Sequence, residues 1–600
     1  MILLEILEQI KSGHDLLERD LEKLIHKNNQ NRAIGQQYAK RQILPYYLQQ
    51  KKLDPDLWDH LGIDQAVEER LFKVLRIKPR RSASGVTTIT VITKPGKCQS
   101  DCLFCPNDIR MPKSYLSDEP ACQRAERNYF DPYLQVAARL RTLVDMGHPT
   151  DKIELIVLGG TWTDYPEAYQ TWFVKELFLA LNDSDDVLET SFQARMGLYL
   201  EAGISNQADE IAKKVAGVQE AVNSQVLTYN QAVDKVYSVD ADWKRLESFQ
   251  SAGFDELAEQ QIQNETSRHR VVGLAVEIRP DAVDPDSLRL LRRYGCTKIQ
   301  MGIQSLDQEL LELNNRHLSV PRISESFQLL RLFGFKIQAH FMLNLLGSSP
   351  QKDASSYLQF VTDRGFIPDE VKLYPCALVE SSHLMDNYRD KSWAPYSEAE
   401  LVEALATDSL NTPPFVRISR MVRDISAKDI VAGNKKTNLR QMVEKKLLGQ
   451  GVDIPEIRFR EIGSAEVLIE DLDLQTISYD TTVTTEYFLQ WVTDQGRIAG
   501  FLRLSLPRQE YVVANQGALP VGPFQAMIRE VHVYGQVAPL SRRTYGVQHF
   551  GLGRSLIEKA CQIAKTSGYR QVNVISSVGT REYYRNLGFV DDELYQVKSL

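Results

Sequence analysis

A cluster of three cysteines constrains this chain more than any other feature of its sequence. Cys98, Cys102 and Cys105 follow the spacing C-x3-C-x2-C and are three of the seven cysteines in 600 residues. Disulfides would leave one of the three thiols over, and a structural zinc site would need a fourth ligand, which the interval between His60 and Cys122 lacks. Three thiolates can hold three corners of an iron-sulfur cubane and leave one iron open. The spacing therefore favours a [4Fe-4S] cluster over zinc.

Composition indicates a globular protein with more than one core. Hydrophobic residues make up 43% of the chain and charged residues 25%. The formal net charge of -8 does not by itself indicate that the protein binds a nucleic acid. An odd number of cysteines indicates a reducing compartment. Carboxylates interrupt the apolar start, no cationic segment precedes it, and no run of about 18 apolar residues occurs. We therefore predict a cytoplasmic protein with no membrane partner.

From residue 87 onward, short apolar runs alternate with helical patterns. The predicted strands are 87–93, 153–159, 274–279, 299–304, 337–343 and 371–376, and the predicted helices are 125–146, 165–181, 285–294, 322–333 and 354–364. Strands that are apolar on both faces and alternate with helices predict a parallel sheet. The fold class is therefore α/β, and six units match a partial (β/α)6 barrel with the cysteine loop directly after its first strand. Reactive groups of such barrels sit at the carboxyl ends of the strands.

The chain divides into four predicted regions. Residues 1–80 are helical and partly basic, 81–410 form the barrel, 411–463 form a basic bridging segment, and 464–600 form a second α/β domain. A helical insertion at about 183–262 interrupts the barrel, because this stretch greatly exceeds the length of an ordinary connection.

Basic residues gather in two of these regions. In the first region they are Arg32, Lys40, Arg41, Lys51, Lys52, Arg70, Lys73, Arg76, Lys78, Arg80 and Arg81. Tyr46 and Tyr47 lie among them and could stack on bases; such a surface is typical of RNA binding, although a solvated helix face gives the same pattern. In the bridging segment Arg417, Arg420 and Arg423 are three residues apart, so on a helix they would share one face.

Polar residues stand at the ends of two predicted strands. Residues 159–161 read Gly-Gly-Thr, and glycine lets the backbone approach a ligand closely. Glu277 and Arg279 end the next strand, with Asp281 just beyond. This density of charge favours a polar ligand, or a structural ion pair between Arg279 and Asp281.

The last region contains a glycine-rich turn that opens a helix. Gln548, Gly551 and Gly553 follow the spacing Q-x-x-G-x-G, and an amphipathic helix comes next. Such a turn presents unpaired backbone N–H groups and the positive end of a helix dipole to a phosphate. Tyr583 and Tyr584 belong to a Tyr-Tyr-x-x-Leu-Gly-Phe element, for which core packing is the alternative interpretation.

These motifs resemble known enzyme families. The cysteine loop, with Phe104 before its last cysteine, resembles that of the radical S-adenosylmethionine enzymes, and the glycine-rich turn with the tyrosine pair resembles the GNAT acetyltransferases. Their fusion, from about residue 70 to residue 600, resembles the catalytic subunit of Elongator and its stand-alone bacterial and archaeal relatives. Further residues that carry the resemblance are Lys94, Lys97, Asn264, Thr266, Gly302, Ser305, Tyr374, Arg529 and Gly535.

The resemblance implies a transferase that builds a carboxymethyl group on carbon 5 of the wobble uridine of tRNA. Its cofactors would be a [4Fe-4S] cluster, S-adenosylmethionine and acetyl-CoA. The 5′-deoxyadenosyl radical would take a hydrogen atom from the acetyl methyl group, the carbon radical would add to the uracil, and thioester hydrolysis would leave the carboxylate. The implied partners are the anticodon stem-loop of tRNA and an electron donor. The resemblance leaves open whether the chain is a homodimer or acts alone.

The resemblance also implies a role for each site residue. The cluster ligands are Cys98, Cys102 and Cys105. S-adenosylmethionine would contact Gly159, Gly160, Thr161, Glu277 and Arg279. Acetyl-CoA would contact Val531, His532, Val533, Gln548, His549, Gly551 and Gly553. Among the residues assigned a catalytic role, Lys152 would contact acetyl-CoA from the barrel, and Tyr583 and Tyr584 would position the acetyl group. Many family members carry cysteines suited to zinc before the Arg-Glu pair of the bridging segment, whereas residues 454–459 contain none, so zinc is not favoured.

Two other functions remain as hypotheses. The GNAT motif alone suggests a protein acetyltransferase in which the iron-sulfur cluster is only structural. The basic segments alone suggest a non-catalytic scaffold that binds tRNA.

Overall fold

The structure is a computed structural model that describes residues 2–13, 16–30, 32–33, 35–82, 84–463, 467–534 and 551–600. For Pro55, Leu57, Asp59, Arg80 and Arg81 it describes the backbone alone. Two residues of the predicted acetyl-CoA site, Gln548 and His549, lie outside the described residues. Across the described ranges, every helix is too short or too polar to cross a lipid bilayer.

Five helices form the amino-terminal region: α1 (Ile2–Lys11), α2 (Glu18–Asn29), α3 (Lys40–Leu53), α4 (Pro55–His60) and α5 (Gln65–Leu75). Leucines and isoleucines at helical spacing meet in a small core that includes Tyr47. The Tyr47 ring packs edge-on against Trp58, and its hydroxyl donates a hydrogen bond to Glu68 at 2.8 Å. Tyr47 is therefore not available for stacking on a base, whereas Tyr46 is 40% exposed.

Seven parallel strands form the first sheet, in the order β1-β2-β3-β4-β5-β6-β8. The strands of this part are β1 (Thr87–Ile92), β2 (Lys152–Leu158), β3 (Arg270–Ile278), β4 (Lys298–Gln304), β5 (Lys336–Leu343), β6 (Glu370–Pro375), β7 (Leu378–Val379), β8 (Arg417–Arg420) and β9 (Ile430–Ala432). Strands β7 and β9 form a separate antiparallel pair. The predicted partial barrel is confirmed. Strand β8 comes from within 411–463 and adds a seventh strand to the six predicted, while the domain bounds stay a prediction.

Helices alternate with these strands along the chain. They are α6 (Pro120–Arg127), α7 (Pro132–Asp145), α8 (Glu167–Asn182), the insertion helices α9 (Asp185–Glu201), α10 (Ala208–Asn223), α11 (Tyr229–Val233), α12 (Ala241–Lys244) and α13 (Phe254–Asn264), and then α14 (Pro285–Arg293), α15 (Gln308–Leu313), α16 (Val320–Leu332), α17 (Pro350–Thr362), α18 (Leu384–Arg389), α19 (Glu398–Asn411), α20 (Leu439–Gly449) and α21 (Ile457–Arg460). The single helix predicted at 125–146 is wrong, because it breaks between α6 and α7. Tyr129 and Phe130 take positive φ angles of 54°, and Asp131 then caps α7 by accepting a hydrogen bond from the Leu134 N–H.

The second sheet has the order β10-β11-β12-β13-β14-β16-β15. Its elements are β10 (Asp473–Asp480), β11 (Thr484–Val492), β12 (Ile498–Pro507), α22 (Gln509–Ala514), β13 (Gln525–Val533), α23 (Leu552–Thr566), β14 (Gln571–Val574), α24 (Arg581–Arg585), β15 (Val590–Asp592) and β16 (Tyr595–Ser599). Strands β13 and β14 are parallel and pair only as far as Ile528 and Val574. Beyond that point the β14 side of β13 has no strand partner among the described residues, so the sheet opens there.

A buried network of charges joins the two sheets. Arg529 of β13 lies 2.6 Å from Asp369, directly before β6, and 2.8 Å from Glu486 of β11. Arg503 of β12 lies 3.4 Å from the same Asp369. Lys336, the first residue of β5, lies 2.7 Å from Glu370 of β6 and 2.5 Å from Glu530 of β13. The second sheet therefore covers the amino ends of the barrel strands, opposite the edge that carries the cysteine loop.

Candidate active site

One cavity of about 1020 Å³ runs through the interior of the barrel. Cys98, Cys102 and Cys105 line it at the carboxyl edge of the first sheet, and Val531, His532 and Tyr584 of the second sheet region also line it. The predicted cluster site and part of the predicted acetyl-CoA site therefore share one space. Lys152, Val533, Gly551, Gly553 and Tyr583 are not among the described residues that line it.

The cysteine loop follows β1, and its thiols are free. Cys98 and Cys102 are buried and Cys105 is partly buried. The Ser100 hydroxyl lies 3.0 Å from the Cys102 sulfur, and Arg316 Nη1 lies 3.8 Å from it. The pKa of the Cys102 thiol is lowered because Cys105 donates a hydrogen bond to it and Arg316 lies beside it, although burial acts in the opposite direction. The thiolate, which is the form that binds iron, is therefore favoured at Cys102, whereas the same hydrogen bond and burial raise the pKa of the Cys105 thiol.

The donor set at this loop fits an iron-sulfur cluster better than a single ion. Within the described ranges, no group of three or more His, Cys, Asp or Glu side chains is arranged around one metal position. A cubane places each thiolate on a different iron atom, so its ligands do not need to meet at one point. Three free thiols on one loop, beside a cavity and with no fourth ligand grouped with them among the described residues, fit a cluster with one open iron.

Polar groups in the cavity wall are left without hydrogen-bond partners in the part of the chain that the structure describes. They are Arg279 Nη1, Gln304 Oε1, Arg316 Nε, Gln338 Oε1, His340 Nε2 and His532 Nε2. Buried polar atoms are nearly always satisfied, so a concentration of orphans in one cavity indicates that the space accepts polar ligands.

The residues predicted to bind S-adenosylmethionine lie beside the cysteines. Gly159, Gly160, Thr161, Glu277 and Arg279 all line the cavity. Arg279 donates to both oxygens of Asp281, at 2.9 and 2.7 Å, so the structural ion pair exists, yet its Nη1 faces the cavity wall without a partner in the described chain. The carboxylate of Glu277 accepts a hydrogen bond from the Tyr115 hydroxyl at 2.7 Å.

Gly159 permits a backbone position that no other residue can take. Its φ angle is +149°, and a Cβ atom placed on it would lie 1.9 Å from the Thr93 hydroxyl oxygen. We expect Gly159→Ala to destabilise the protein by about 1–3 kcal/mol through backbone strain alone, and to weaken S-adenosylmethionine binding by displacing the loop. Urea unfolding and equilibrium dialysis of the cofactor would measure the two effects. Gly197→Ala, at a glycine inside α9 with open space around it, is the matched control: it should leave cofactor binding unchanged and stabilise the protein by about 0.5–1 kcal/mol, because alanine favours a helix more than glycine does.

The residues predicted to bind acetyl-CoA surround the opening between β13 and β14. Val531, His532 and Val533 lie on the part of β13 that β14 does not pair with. Gly551 takes a φ angle of 130° and precedes α23, and a Cβ atom on Gly553 would lie 3.0 Å from the Tyr583 hydroxyl. Burial lowers the pKa of His532, so its imidazole is neutral.

Lys152 lies outside the cavity wall but close to the interface between the barrel and the second sheet region. It begins β2 and is the register partner of Arg270 in β3. A Cβ atom on Gly579, in the turn before α24, would lie 2.6 Å from Arg270 Cβ. Lys152 is therefore on the sheet edge that the second half covers, and burial lowers its pKa.

The inner faces of the strands are polar, which corrects the expectation that these strands are apolar on both faces. In β6 Glu370, Lys372 and Tyr374 line the cavity, whereas Val371 and Leu373 are fully buried in the hydrophobic core. The same alternation occurs along β5, where Lys336, Gln338 and His340 face inward. Apart from Tyr374, sequence reasoning missed these residues, although the period-two alternation was readable in both strands.

The bridging arginines are part of this lining. Arg417, Arg420 and Arg423 do not share a helix face, because the first two lie in β8 and the third lies in the loop that follows. All three still line the cavity. The basic residues of the amino-terminal helices are partly neutralised instead, by ion pairs such as those of Lys40 with Glu18 and Lys51 with Glu68.

Comparison with known proteins places the chain in a family. A model for the Radical_SAM C-terminal domain matches residues 368–448. The parallel partial barrel, the three-cysteine loop at its carboxyl edge and this match define an enzyme of the radical S-adenosylmethionine class.

Relatives of known name cover most of the chain. The tRNA uridine(34) acetyltransferase of Methanocaldococcus infernus is 32% identical over 546 residues, 88% of each protein, and human Elongator complex protein 3 is 30% identical over 548 residues, 88% of this chain and 87% of the relative. The solved structure of the archaeal Methanocaldococcus infernus Elp3 with an N-terminal deletion (1-46) superposes with a TM-score of 0.64 at 29% identity, covering 86% of this chain and 99% of that one. The chain belongs to the family of tRNA uridine(34) acetyltransferases and Elongator complex protein 3, which confirms the resemblance inferred from its motifs.

Proposed function

We propose that this protein modifies the wobble uridine of tRNA and installs a carboxymethyl group on its carbon 5, using S-adenosylmethionine and acetyl-CoA. The observation that carries the proposal is the single cavity lined by the three cysteines and by Val531, His532 and Tyr584. A reaction that joins radical chemistry to an acetyl group needs both sites to open into one space. The printed names of the relatives, tRNA uridine(34) acetyltransferase among them, support tRNA as the substrate.

At the carboxyl edge, Cys98, Cys102 and Cys105 would hold a [4Fe-4S] cluster. With S-adenosylmethionine and an electron donor, the cluster would supply the carbon-centred radical that takes a hydrogen atom from the acetyl methyl group. Arg279, through its unpaired Nη1, is placed to donate to an anionic group of the cofactor, and Glu277 is placed to accept from a donor group. Gly159, Gly160 and Thr161 leave the backbone accessible there.

At the amino edge, the open side of β13 would bind the pantetheine and thioester of acetyl-CoA. Backbone groups of Val531, His532 and Val533 have no strand partner on the β14 side within the described chain, so they can pair with the amide groups of the cofactor. Tyr583 and Tyr584 would position the acetyl group, with Lys152 contributing from the barrel. The proposal keeps Gln548, His549, Gly551 and Gly553 as the pyrophosphate loop.

Between the two edges, cationic side chains would stabilise the carboxylate that forms when the thioester is hydrolysed. Lys372 lies inside the barrel and donates a hydrogen bond to Gln300 Oε1 at 2.5 Å. Arg420 and Arg423 line the same wall. Fixed cations in a cavity shielded from water stabilise developing negative charge much more than they would in bulk solvent.

The test is anaerobic reconstitution of the purified protein with iron and sulfide, followed by incubation with unmodified tRNA, S-adenosylmethionine, acetyl-CoA and a chemical reductant. Mass spectrometry of the digested tRNA should detect carboxymethyluridine, and its formation should require both cofactors. Acetylated protein with unchanged tRNA would instead support the acetyltransferase hypothesis. Binding of tRNA without consumption of either cofactor would support the scaffold hypothesis.

Lys372 provides a further prediction for this reaction. Burial lowers its pKa to about 7, and the groups that face it are Glu277, Lys298, His340, Glu370 and Arg420. The charged form is the one that stabilises a carboxylate, so we expect the rate of modification to fall as the pH rises through about 7. In Lys372→Arg this fall should disappear because arginine stays charged. In Lys372→Met the rate should drop by about 10²–10³-fold below pH 7, and the deficit should narrow as the pH rises above 7, where the wild-type lysine is itself neutral.

The measurement is the initial rate of carboxymethyluridine formation between pH 6 and pH 8.5, with iron content determined for each variant. Lys445→Met, at an exposed lysine of α20, is the control and should behave like the wild type. A Lys372→Met variant with the wild-type rate and pH profile would remove Lys372 from the proposal.

A further inference from the structure

The helical insertion packs directly against the cysteine loop. Its aromatic residues Tyr199, Tyr229, Tyr237 and Trp243 share one hydrophobic core with residues on both sides of that loop, including Ile92, Ile109 and Met111. The insertion is therefore not a separate appendage. It packs against the segments that lead into and out of the cysteine loop.

Asn230 of α11 makes a paired contact with the first cysteine. Its Oδ1 accepts a hydrogen bond from the backbone N–H of Cys98 at 2.9 Å, and its Nδ2 donates to the backbone carbonyl of Cys98 at 2.8 Å. A side-chain amide thus supplies the two bonds that a neighbouring strand would otherwise supply. Thr228 and Gln231 hold α11 in place through a reciprocal capping box.

The insertion also holds the loop before and after the cysteines. On the side before them, Lys94 donates to Gln250 at 2.9 Å and Lys97 pairs with Asp234 at 3.1 Å. On the side after them, Gln219 accepts from the Ile109 N–H at 2.9 Å and donates to the Asn107 carbonyl at 3.0 Å. The Tyr229 hydroxyl donates to the Met111 carbonyl at 2.7 Å.

These contacts reduce the entropy cost of ordering the cysteine loop when the cluster binds. Residues 93–119 form no helix or strand, so their backbone polar groups lack the partners that regular structure supplies. An irregular loop is normally mobile, and a mobile loop loses conformational entropy when three of its residues are fixed on one cluster. Contacts that fix the loop beforehand remove that cost from cluster binding.

We infer that the insertion is a brace that pre-orders the cluster-binding loop, and that Asn230 is the positioning residue for Cys98. The inference rests on the proposal that the three cysteines hold the cluster. It does not depend on the RNA substrate. The brace acts on backbone groups and leaves all three thiols available to iron.

The test compares Asn230→Ala with the wild type after anaerobic reconstitution of both full-length proteins. We expect the cluster of the variant to be lost to an iron chelator about 10–100-fold faster, by analogy with the loss of other groups that orient metal ligands. In the iron-free proteins, hydrogen exchange at the amides of residues 97–111 should be faster in Asn230→Ala. Asn230→Asp keeps the oxygen that accepts from the Cys98 N–H, but it places a carboxylate oxygen against the Cys98 carbonyl oxygen, which repels it. We therefore expect Asn230→Asp to lose the cluster at least as fast as Asn230→Ala.

Asn206→Ala is the matched control. Asn206 belongs to the same insertion, but its side chain donates to the Arg127 carbonyl, which lies outside the cysteine loop. The inference that the insertion is a brace would be overturned if Asn230→Ala lost its cluster to the chelator at the wild-type rate and showed wild-type hydrogen exchange in the loop. A wild-type protein that binds no iron on reconstitution would instead overturn the cluster assignment itself, so the two failures are distinguishable.

Discussion

Replacing Cys102 by alanine should abolish formation of carboxymethyluridine, leaving no more product than a reaction without protein. Cys102 is the most buried thiol of the loop, at 1% exposure, and it contacts both Ser100 and Arg316. Two remaining thiolates cannot hold a cubane in a defined orientation at the carboxyl edge of the barrel. The iron content after anaerobic reconstitution should fall together with the activity, and both are measured on the same preparation.

Cys561→Ala is the control for this experiment. Cys561 lies in α23, is also a free thiol and does not line the cavity. Its replacement should leave the iron content and the rate of tRNA modification unchanged. Full formation of carboxymethyluridine in Cys102→Ala would contradict the radical mechanism, whereas protein acetylation that persists in Cys102→Ala without any tRNA modification would favour an acetyltransferase with a structural cluster. Circular dichroism of both variants should match the wild type, which excludes unfolding as the cause.

Asp369→Asn should lower the free energy of unfolding by about 3–5 kcal/mol at neutral pH, because it removes the carboxylate that two buried arginines, Arg529 and Arg503, share. The Asp369 carboxylate is fully buried and lies between Arg529, at 2.6 Å, and Arg503, at 3.4 Å. It also accepts a hydrogen bond from the Ile337 N–H, so it links the second sheet to the amino ends of β5 and β6. Urea unfolding followed by tryptophan fluorescence would measure the change, and Asp494→Asn, at an exposed turn, should have little effect.

The effect of Asp369→Asn on the free energy of unfolding should depend on pH. Burial opposes ionisation of Asp369, but Arg529 and Arg503 outweigh it and hold the pKa of its carboxyl below its ordinary value. A carboxyl group whose pKa is lower in the folded state contributes stability above its unfolded pKa of about 3.9, and this contribution disappears as the pH falls through the folded pKa. The difference in stability between the wild type and Asp369→Asn should therefore be constant from pH 5 to pH 8 and shrink below about pH 4. A difference that stays the same at pH 3 would contradict the assignment.

Much of the barrel was predictable, because its signals are local. Apolar runs alternating with helical patterns identified six strands, and all six were found with boundaries that shifted by a few residues. The strand β8 was missed because it spans only Arg417–Arg420 and its charged ends do not read as a buried strand. The break between α6 and α7 was missed because the apolar spacing continues across it, while positive φ angles at Tyr129 and Phe130 redirect the chain.

The candidate site was predictable in its parts and not in its arrangement. The cysteine loop and the residues of β13 are more than 400 positions apart, and no local pattern states which edge of the barrel the second sheet covers. That edge is decided by Arg529, Arg503 and Lys336, whose partners Asp369, Glu370 and Glu530 meet them only in the folded chain. The role of the insertion also depended on a contact across 132 positions, between Asn230 and Cys98.

The sequence by itself determined which groups this protein carries: three thiols at the spacing of a cluster loop, a Gly-Gly-Thr strand end, and a glycine-rich turn with a tyrosine pair. Short-range spacing encodes such motifs, because their residues are neighbours along the chain. Only the tertiary structure decided that the cysteines and the open side of β13 face the same cavity, that polar side chains line it, and that the insertion holds the cysteine loop. The physical reason is that these relations depend on burial, hydrogen bonds and ion pairs between segments that are distant along the chain, and none of these forms until those segments pack together.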